Sequence, residues 1–256
     1  MSKAARERSA RERLAAERAK QAARQKQQRL LAIVLGAVVV IGAIVAVTVV
    51  VLDQKSKRDQ VAAPYTGPQA PLTREADGSI AMAKAGVTKP VLEIFEDFQC
   101  PACKEFEESL GKDIKQLAAE GKVKVVYRPF HLFSQQPDPI KSNSLRSAAA
   151  AMCVPADKWL SYHEALFKFQ PREGSAGFAP KDLVGWGKDV GVTDAGFEKC
   201  VTGQEKKAQV DAMTKYALDD RKVTGTPTVM LDGRKLEGQA LNNLKATVES
   251  AGKAAK

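Results

Sequence analysis

The chain has 256 residues and a net charge of +10, but the charge is confined. Residues 1–29 hold ten Lys/Arg against three acids, a net +7, which leaves only +3 for everything that follows. That distribution argues against a nucleic-acid-binding domain, and the four cysteines (Cys100, Cys103, Cys153, Cys200) all lie in the near-neutral remainder.

Residues 1–29 read as a basic cytoplasmic tail, suited to lie against anionic headgroups. Residues 30–52, "LLAIVLGAVVVIGAIVAVTVVVL", are 23 residues without a charge. As a helix they span about 34 Å, enough for a hydrocarbon core of about 30 Å. The run exceeds the roughly 7–15 apolar residues of a cleaved signal peptide. It is therefore expected to be a transmembrane signal anchor. The positive-inside rule then puts the N-terminus in the cytoplasm and everything beyond Leu52 outside. The small-residue spacings Ala32/Gly36 and Gly42/Ala46 are too common in such helices to argue for pairing, and a monomer is expected. Residues 53–79, rich in Pro, Gly, Gln and charge, read as a linker.

From about residue 80 the composition is globular. "SIAMAKAG" suits a short first strand. "KPVLEIFEDF" (89–98) is a buried strand by its dense apolar run. "PACKEFEESLGKDIKQLAAEG" (101–121) is a helix, with Phe106, Leu110, Ile114 and Leu117 on one face and Gly121 at its stop. "KVKVVYRPF" (122–130) alternates as a strand. Helices follow at 142–154, 158–170, 180–191, 194–203 and 205–222, with Trp159, Phe167 and Trp186 as core candidates. "GTPTVMLDGRKLEG" (225–238) reads as two short strands about an Asp-Gly turn, and 240–253 as a closing helix. The order predicts an α/β domain over 80–256 with a helical insertion at about 138–222.

Cys100 and Cys103 admit three readings. A zinc site needs four ligands, and neither the other cysteines nor His131 and His163 offer a second paired spacing. A structural disulfide in so tight a ring closes almost no chain and stabilises little. Redox chemistry fits better. Cys100 ends a strand and opens a helix, where unpaired N–H groups and the helix dipole favour a thiolate. Pro101 suits the first helical turn. Cys103, one turn on, can attack a mixed disulfide formed at Cys100. No metal and no cofactor are expected.

"DFQCPAC", the helical insertion and the late "VTGTPTVMLDG" together resemble the thioredoxin fold, in particular the DsbA-like extracytoplasmic thiol–disulfide oxidoreductases, over residues 80–255. The resemblance implies that Cys100 is the nucleophile and Cys103 the resolving cysteine. It implies a cis Pro227 facing them, with Thr226 pairing with an extended substrate segment. It implies that disulfides are introduced into exported unfolded proteins bearing thiols, and that a quinone-linked membrane protein of the DsbB or VKOR type reoxidises the pair. The composition resembles actinobacterial members most. Two residues depart from the pattern. Ala102 stands where well-known relatives have histidine, and Ile94 stands where many thioredoxin-fold strands carry a buried carboxylate. Glu93 points the opposite way from Ile94 by strand parity, and Glu93, Glu96 and Asp97 are expected at the surface, with a proton relay through a distortion of the strand as the alternative for any of them. The rivals are a reductase or isomerase of the same fold and a non-catalytic chaperone or binding module. Cys153 and Cys200, both in the insertion, are expected to form a structural disulfide. His163 is expected to pack on or along its helix, and His131 away from the reactive pair.

Overall fold

The computed structural model describes residues 61–254. The tail, the expected membrane span and the first part of the expected linker lie outside the described residues. Among the described residues no helix is long and apolar enough to cross a membrane.

Six strands form one sheet: β1 (Leu72–Arg74), β2 (Ile80–Met82), β3 (Val91–Glu96), β4 (Lys124–Pro129), β5 (Thr228–Leu231) and β6 (Arg234–Lys235). Their order is β1-β2-β4-β3-β5-β6, and only the central pair β3/β4 is parallel. Parallel neighbours need a crossover helix, and α1 (Pro101–Ala119) supplies it. That crossover fixes where the cysteines go, because α1 starts directly beyond the C-terminal end of the central strand. Alternation along β3 serves two cores. Leu92 and Ile94 join the apolar cluster that holds Phe106, Ile114 and Leu117 of α1, while Phe95 joins a second cluster on the other face.

α1 ends in a Schellman motif. Lys122 N–H donates to Leu117 O at 3.0 Å and Gly121 N–H to Ala118 O at 2.9 Å, with Gly121 at φ +76°, where a side chain would be strained. The insertion runs through α2 (Ile140–Cys153), α3 (Ala156–Lys168), α4 (Pro180–Asp189), α5 (Phe197–Thr202) and α6 (Lys207–Lys215). A π turn, Tyr216–Asp220, follows α6. Trp159, Phe167 and Trp186 are buried. The β5–β6 turn has Asp232 at φ +47° and Gly233 at φ +78°, both in the left-handed region that an Asp-Gly hairpin turn requires. The closing helix is broken at Asn243 (ψ +40°) into α7 (Gly238–Asn242) and α8 (Leu244–Ala254).

The expected linker ends too late in the sequence. Ala62 and Ala70 are buried, and β1 pairs with β2 from Leu72↔Met82 to Arg74↔Ile80. Arg74 also donates to Ala151 O (3.1 Å) and Val154 O (2.6 Å), which satisfies free carbonyls at the end of α2. The segment looks polar because β1 is a three-residue edge strand in which Leu72 packs on the core while Arg74 is held by hydrogen bonds.

Candidate active site

The site is built where three chain segments meet. β5 starts opposite the end of β3, with Phe95 paired to Thr228. Thr226 and Pro227 therefore arrive beside the turn that carries β3 into α1. The Thr226–Pro227 peptide is cis. Cys100 caps the helix, Pro101 occupies its first turn, and Pro101 and Ala102 are exposed. The Cys100 sulfur lies 3.4 Å from Thr226 O.

The two thiols are unpaired in this structure and unlike each other. The Cys100 pKa is lowered to about 6. The chief cause is the hydrogen bond from the Cys103 thiol, opposed by burial and helped by Thr226 and by the N–H groups of Cys103 and Ala102. The Cys103 pKa is raised well above the usual thiol range, first by burial and then by its bond and charge contact with Cys100. Cys103 is fully buried, whereas Cys100 keeps 7% of its surface open. The helix start thus stabilises negative charge on the outer sulfur and keeps the proton on the inner one.

The turn itself is clamped from both sides. The Gln170 amide, just past α3, donates to Phe98 O (2.8 Å) and Cys100 O (2.9 Å). On the other side the Asp97 carboxylate accepts from Gln99 N–H (2.8 Å), Leu132 N–H (2.9 Å) and the Ser144 hydroxyl (2.5 Å).

The three acids expected at the surface are all buried. Glu93 does point away from Ile94, but between two guanidinium groups, 2.9 Å from Arg128 and 2.6 Å from Arg221. Glu96 shares the face of Ile94, since residues two apart on a strand do. It meets His163 Nε2 at 2.9 Å inside a cage of Phe98, Tyr127, Trp159 and Phe167 rings. Burial raises the Glu96 pKa, and the Glu96 carboxylate raises that of His163 against the opposing effect of burial. A carboxylate therefore does lie beneath α1, two residues nearer the cysteines than Ile94. The sequence signal was parity: Glu96 and Ile94 must share a face, and every other position on that face is core. His163 is a packing residue, as expected, but also the counter-ion of Glu96. His131 is buried next to Leu132, on the loop that Asp97 ties to the active-site turn.

Donor atoms of Glu96, Glu107 and His163 lie within 4.8 Å of one another, a set that resembles metal ligands. The cation in this cluster is already a side chain. Lys115 Nζ lies 2.9 Å from Glu107 and 2.7 Å from Glu164, and although burial opposes them these carboxylates raise its pKa above the usual lysine range. Outside the site, Cys153 and Cys200 are joined (S–S 2.07 Å), tying the end of α2 to α5.

A mixed sheet carrying two unequal buried cysteines at the start of its crossover helix, faced by a cis-proline loop, defines a thioredoxin-fold dithiol protein. Residues 85–250 match the family described as Thioredoxin, and the chain belongs to that family. Among solved structures it resembles oxidised DsbA of Mycobacterium tuberculosis, with 26% identity and a TM-score of 0.56 over 72% of this chain and 92% of that one. Reduced DsbG of the same organism gives 26% identity and 0.57 over 76% and 91%. MdbA, a thiol-disulfide oxidoreductase of Corynebacterium diphtheriae, shares the fold at 23% identity and 0.60 over 73% and 96%. A curated Rickettsia bellii protein, assigned as a protein-disulfide oxidoreductase, is 23% identical over 154 residues. The match covers 59% of this chain and 56% of that relative, so the chain spans little more than half its length.

Proposed function

We propose that this chain is a membrane-anchored, extracytoplasmic thiol–disulfide oxidoreductase that passes a Cys100–Cys103 disulfide to exported proteins. The observation that carries the reading is the inequality of the two thiols. In the oxidising direction a substrate thiolate attacks Cys100, the less buried sulfur, and Cys103 leaves. A second substrate thiol then displaces Cys100 from the mixed disulfide. A sulfur with a depressed pKa is the better leaving group, so the second step favours release of oxidised substrate. The resting charge on Cys100 is held by Cys103, Thr226 and the helix start, which stabilises the reduced enzyme and makes the disulfide the stronger oxidant. Thr226 and Pro227 form the opposite wall, where the extended backbone of a substrate can lie. Both electrons reside in the cysteine pair, so the reaction needs neither metal nor bound cofactor.

The uncharged run at 30–52 and the basic residues before it support the anchored, outward-facing placement. Reoxidation then falls to a quinone-linked membrane protein of the DsbB or VKOR type. The test is twofold. Thiol alkylation in cells should find Cys100 and Cys103 mostly oxidised. The purified protein should equilibrate at a potential of about −120 to −180 mV, whereas a value near about −270 mV, typical of thioredoxin, would make it a reductase. A binding module would keep its cellular activity after Cys100→Ser; an oxidase would lose it and leave its substrates reduced.

A further inference from the structure

The loop that faces Cys100 is held at both ends. Behind it, Thr228 starts β5, pairs with Phe95 and donates from its hydroxyl to Gly225 O (2.7 Å). Ahead of it, the π turn runs into Arg221, and Lys222 reverses the chain at φ +55°, a left-handed conformation that is strained for a residue with a side chain. Two backbone bonds hold this reversal, Arg221 N–H to Tyr216 O and Val223 N–H to Ala217 O, both 2.9 Å. The Arg221 side chain adds a third tie. Its Nη2 lies 2.6 Å from Glu93 Oε2 and 3.2 Å from Met230 Sδ. Glu93 and Met230 are directly paired across β3 and β5. One guanidinium therefore grips both strands that carry the walls of the site: β3, which leads to Cys100, and β5, which leads out of Thr226 and Pro227.

Charge balance does not call for this arginine. Glu93 already has Arg128 at 2.9 Å, and Arg128 is held in turn by Asp77 at 2.6 Å. The Arg221 Nε is buried without a hydrogen-bond partner. An unpaired buried donor costs stability, and an apolar side chain over the cluster of Phe95, Val223 and Met230 would avoid that cost. What the arginine adds is a fixed position. Its planar fork prescribes direction as well as distance, and Arg128 and Arg221 both lie over the Tyr216 ring, at 5.0 and 6.0 Å from its centroid, where the π turn begins. Within the loop so held, Gly225 leaves room. It lies outside the left-handed region, and a Cβ there would meet nothing within 4 Å. Neither conformation nor packing requires a glycine at that place, whereas the close approach of another backbone does.

We propose that Arg221 is a positioning residue for protein substrates: it fixes the Thr226 loop at the spacing from Cys100 that an extended substrate backbone needs to lie between them. It touches neither the reacting sulfurs nor the substrate. The proposal rests on the dithiol chemistry assigned to Cys100 and Cys103 and on Thr226 as the substrate-facing wall. The Cys100 sulfur lies 3.4 Å from Thr226 O, so the width of the site follows from where the loop begins. A small thiol reaches the sulfur without pairing along the loop and does not use that spacing. A peptide pairs along it and does. Loss of Arg221 therefore separates two kinds of reductant instead of slowing both alike.

Single-turnover reduction of the oxidised full-length protein, by dithiothreitol and by an unstructured peptide with two cysteines, tests the idea. Arg221→Gln should slow the peptide about ten- to a hundredfold, the range that a small misplacement of reacting groups costs, and leave dithiothreitol within about twofold of the wild type. Glu93 keeps Arg128 in this variant, so the fold retains its buried pair. Arg221→Lys restores a charge beside Glu93 but not the fork, and it should remain slow with the peptide. An unchanged peptide rate in Arg221→Gln, or equal slowing of both reductants, would make Arg221 a packing residue only and overturn the proposal. A wild-type peptide rate in Arg221→Lys would overturn it too, since charge without fixed direction would then suffice. The ratio of the two rates in Arg221→Lys decides the question even if Arg221→Gln does not fold. If the wild type reacts with neither reductant, the oxidoreductase reading fails and the proposal falls with it.

Discussion

Cys100 owes its acidity first to Cys103, so the two cannot be treated as independent thiols. Replacing Cys103 with alanine removes the main donor to the Cys100 sulfur and should move its titration from about 6 back toward the ordinary thiol value, read by thiolate absorbance. A Cys100 that still titrated near 6 would show that the helix start and Thr226 suffice. Lys115 gives a second residue-scale prediction. It is buried between Glu107 and Glu164, and Lys115→Met leaves a buried Glu107 without its cation. Breaking a buried pair from one side costs about 3–5 kcal/mol, and adding Glu107→Gln should recover much of it. Equal urea midpoints for the single and double variants would refute this. At this scale the sequence exposed only part of the site. Cys100, Pro101, Cys103, Thr226 and Pro227 stand in recognisable strings. Asp97, Gln170, Ser144 and the Glu96–His163 pair do not, because each acts through a partner 35 or more residues away, and a charged residue in isolation reads as surface. The nearest exception is Asp97 to Gln99, a bond within the turn itself.

The insertion is bound to the thioredoxin core by a few directed contacts, and each can be cut. The Cys153–Cys200 bond spans 47 residues of sequence, and its loss should lower stability by up to about 4 kcal/mol on chain-entropy grounds. Because it lies away from the reactive turn, Cys153→Ala/Cys200→Ala should leave the potential of the Cys100–Cys103 pair unchanged; a shifted potential would mean that the insertion's anchoring tunes the site. Gln170→Ala, by contrast, is expected to act at the reactive turn itself. It removes donors from two carbonyls in the active-site turn, which should cost about 1–3 kcal/mol and loosen the helix start, seen as faster amide exchange at residues 98–103. Element types were legible wherever apolar periodicity was strong, as in α1 and β3. They were missed where hydrogen bonding rather than burial holds the chain. β1 has three residues and no apolar pattern, and the break at Asn243 has no spacing that announces it.

At the scale of the whole molecule, the redox state should alter how stability responds to pH. In the reduced protein the folded Cys100 pKa, about 6, lies below the unfolded thiol value near 9. Between those values the unfolded chain holds a proton that the folded one lacks. Reduced protein therefore gains stability as pH rises through this range and loses it as pH falls through about 6, while the disulfide form has no such titration. The gap between the urea midpoints of the two forms should move in favour of the reduced form from about pH 7.5 to 8.5, above the Asp97 pKa of about 7; a constant gap there would mean that Cys100 is not a stabilised thiolate. The sequence alone determined the order of the elements from β2 onward, the concentration of positive charge in residues 1–29, and the cysteine pair at a strand–helix junction. Those are properties of neighbouring residues and their periodicity. Tertiary structure alone decided that the polar stretch before residue 80 supplies an edge strand, that three acids go inside, and which of them has no cation. Those outcomes depend on which distant side chains β3, α2 and α3 bring together. The inequality of the two thiols belongs to the same group, since "CPAC" names two thiols, and only their unequal burial and partners give one the charge and the other the proton.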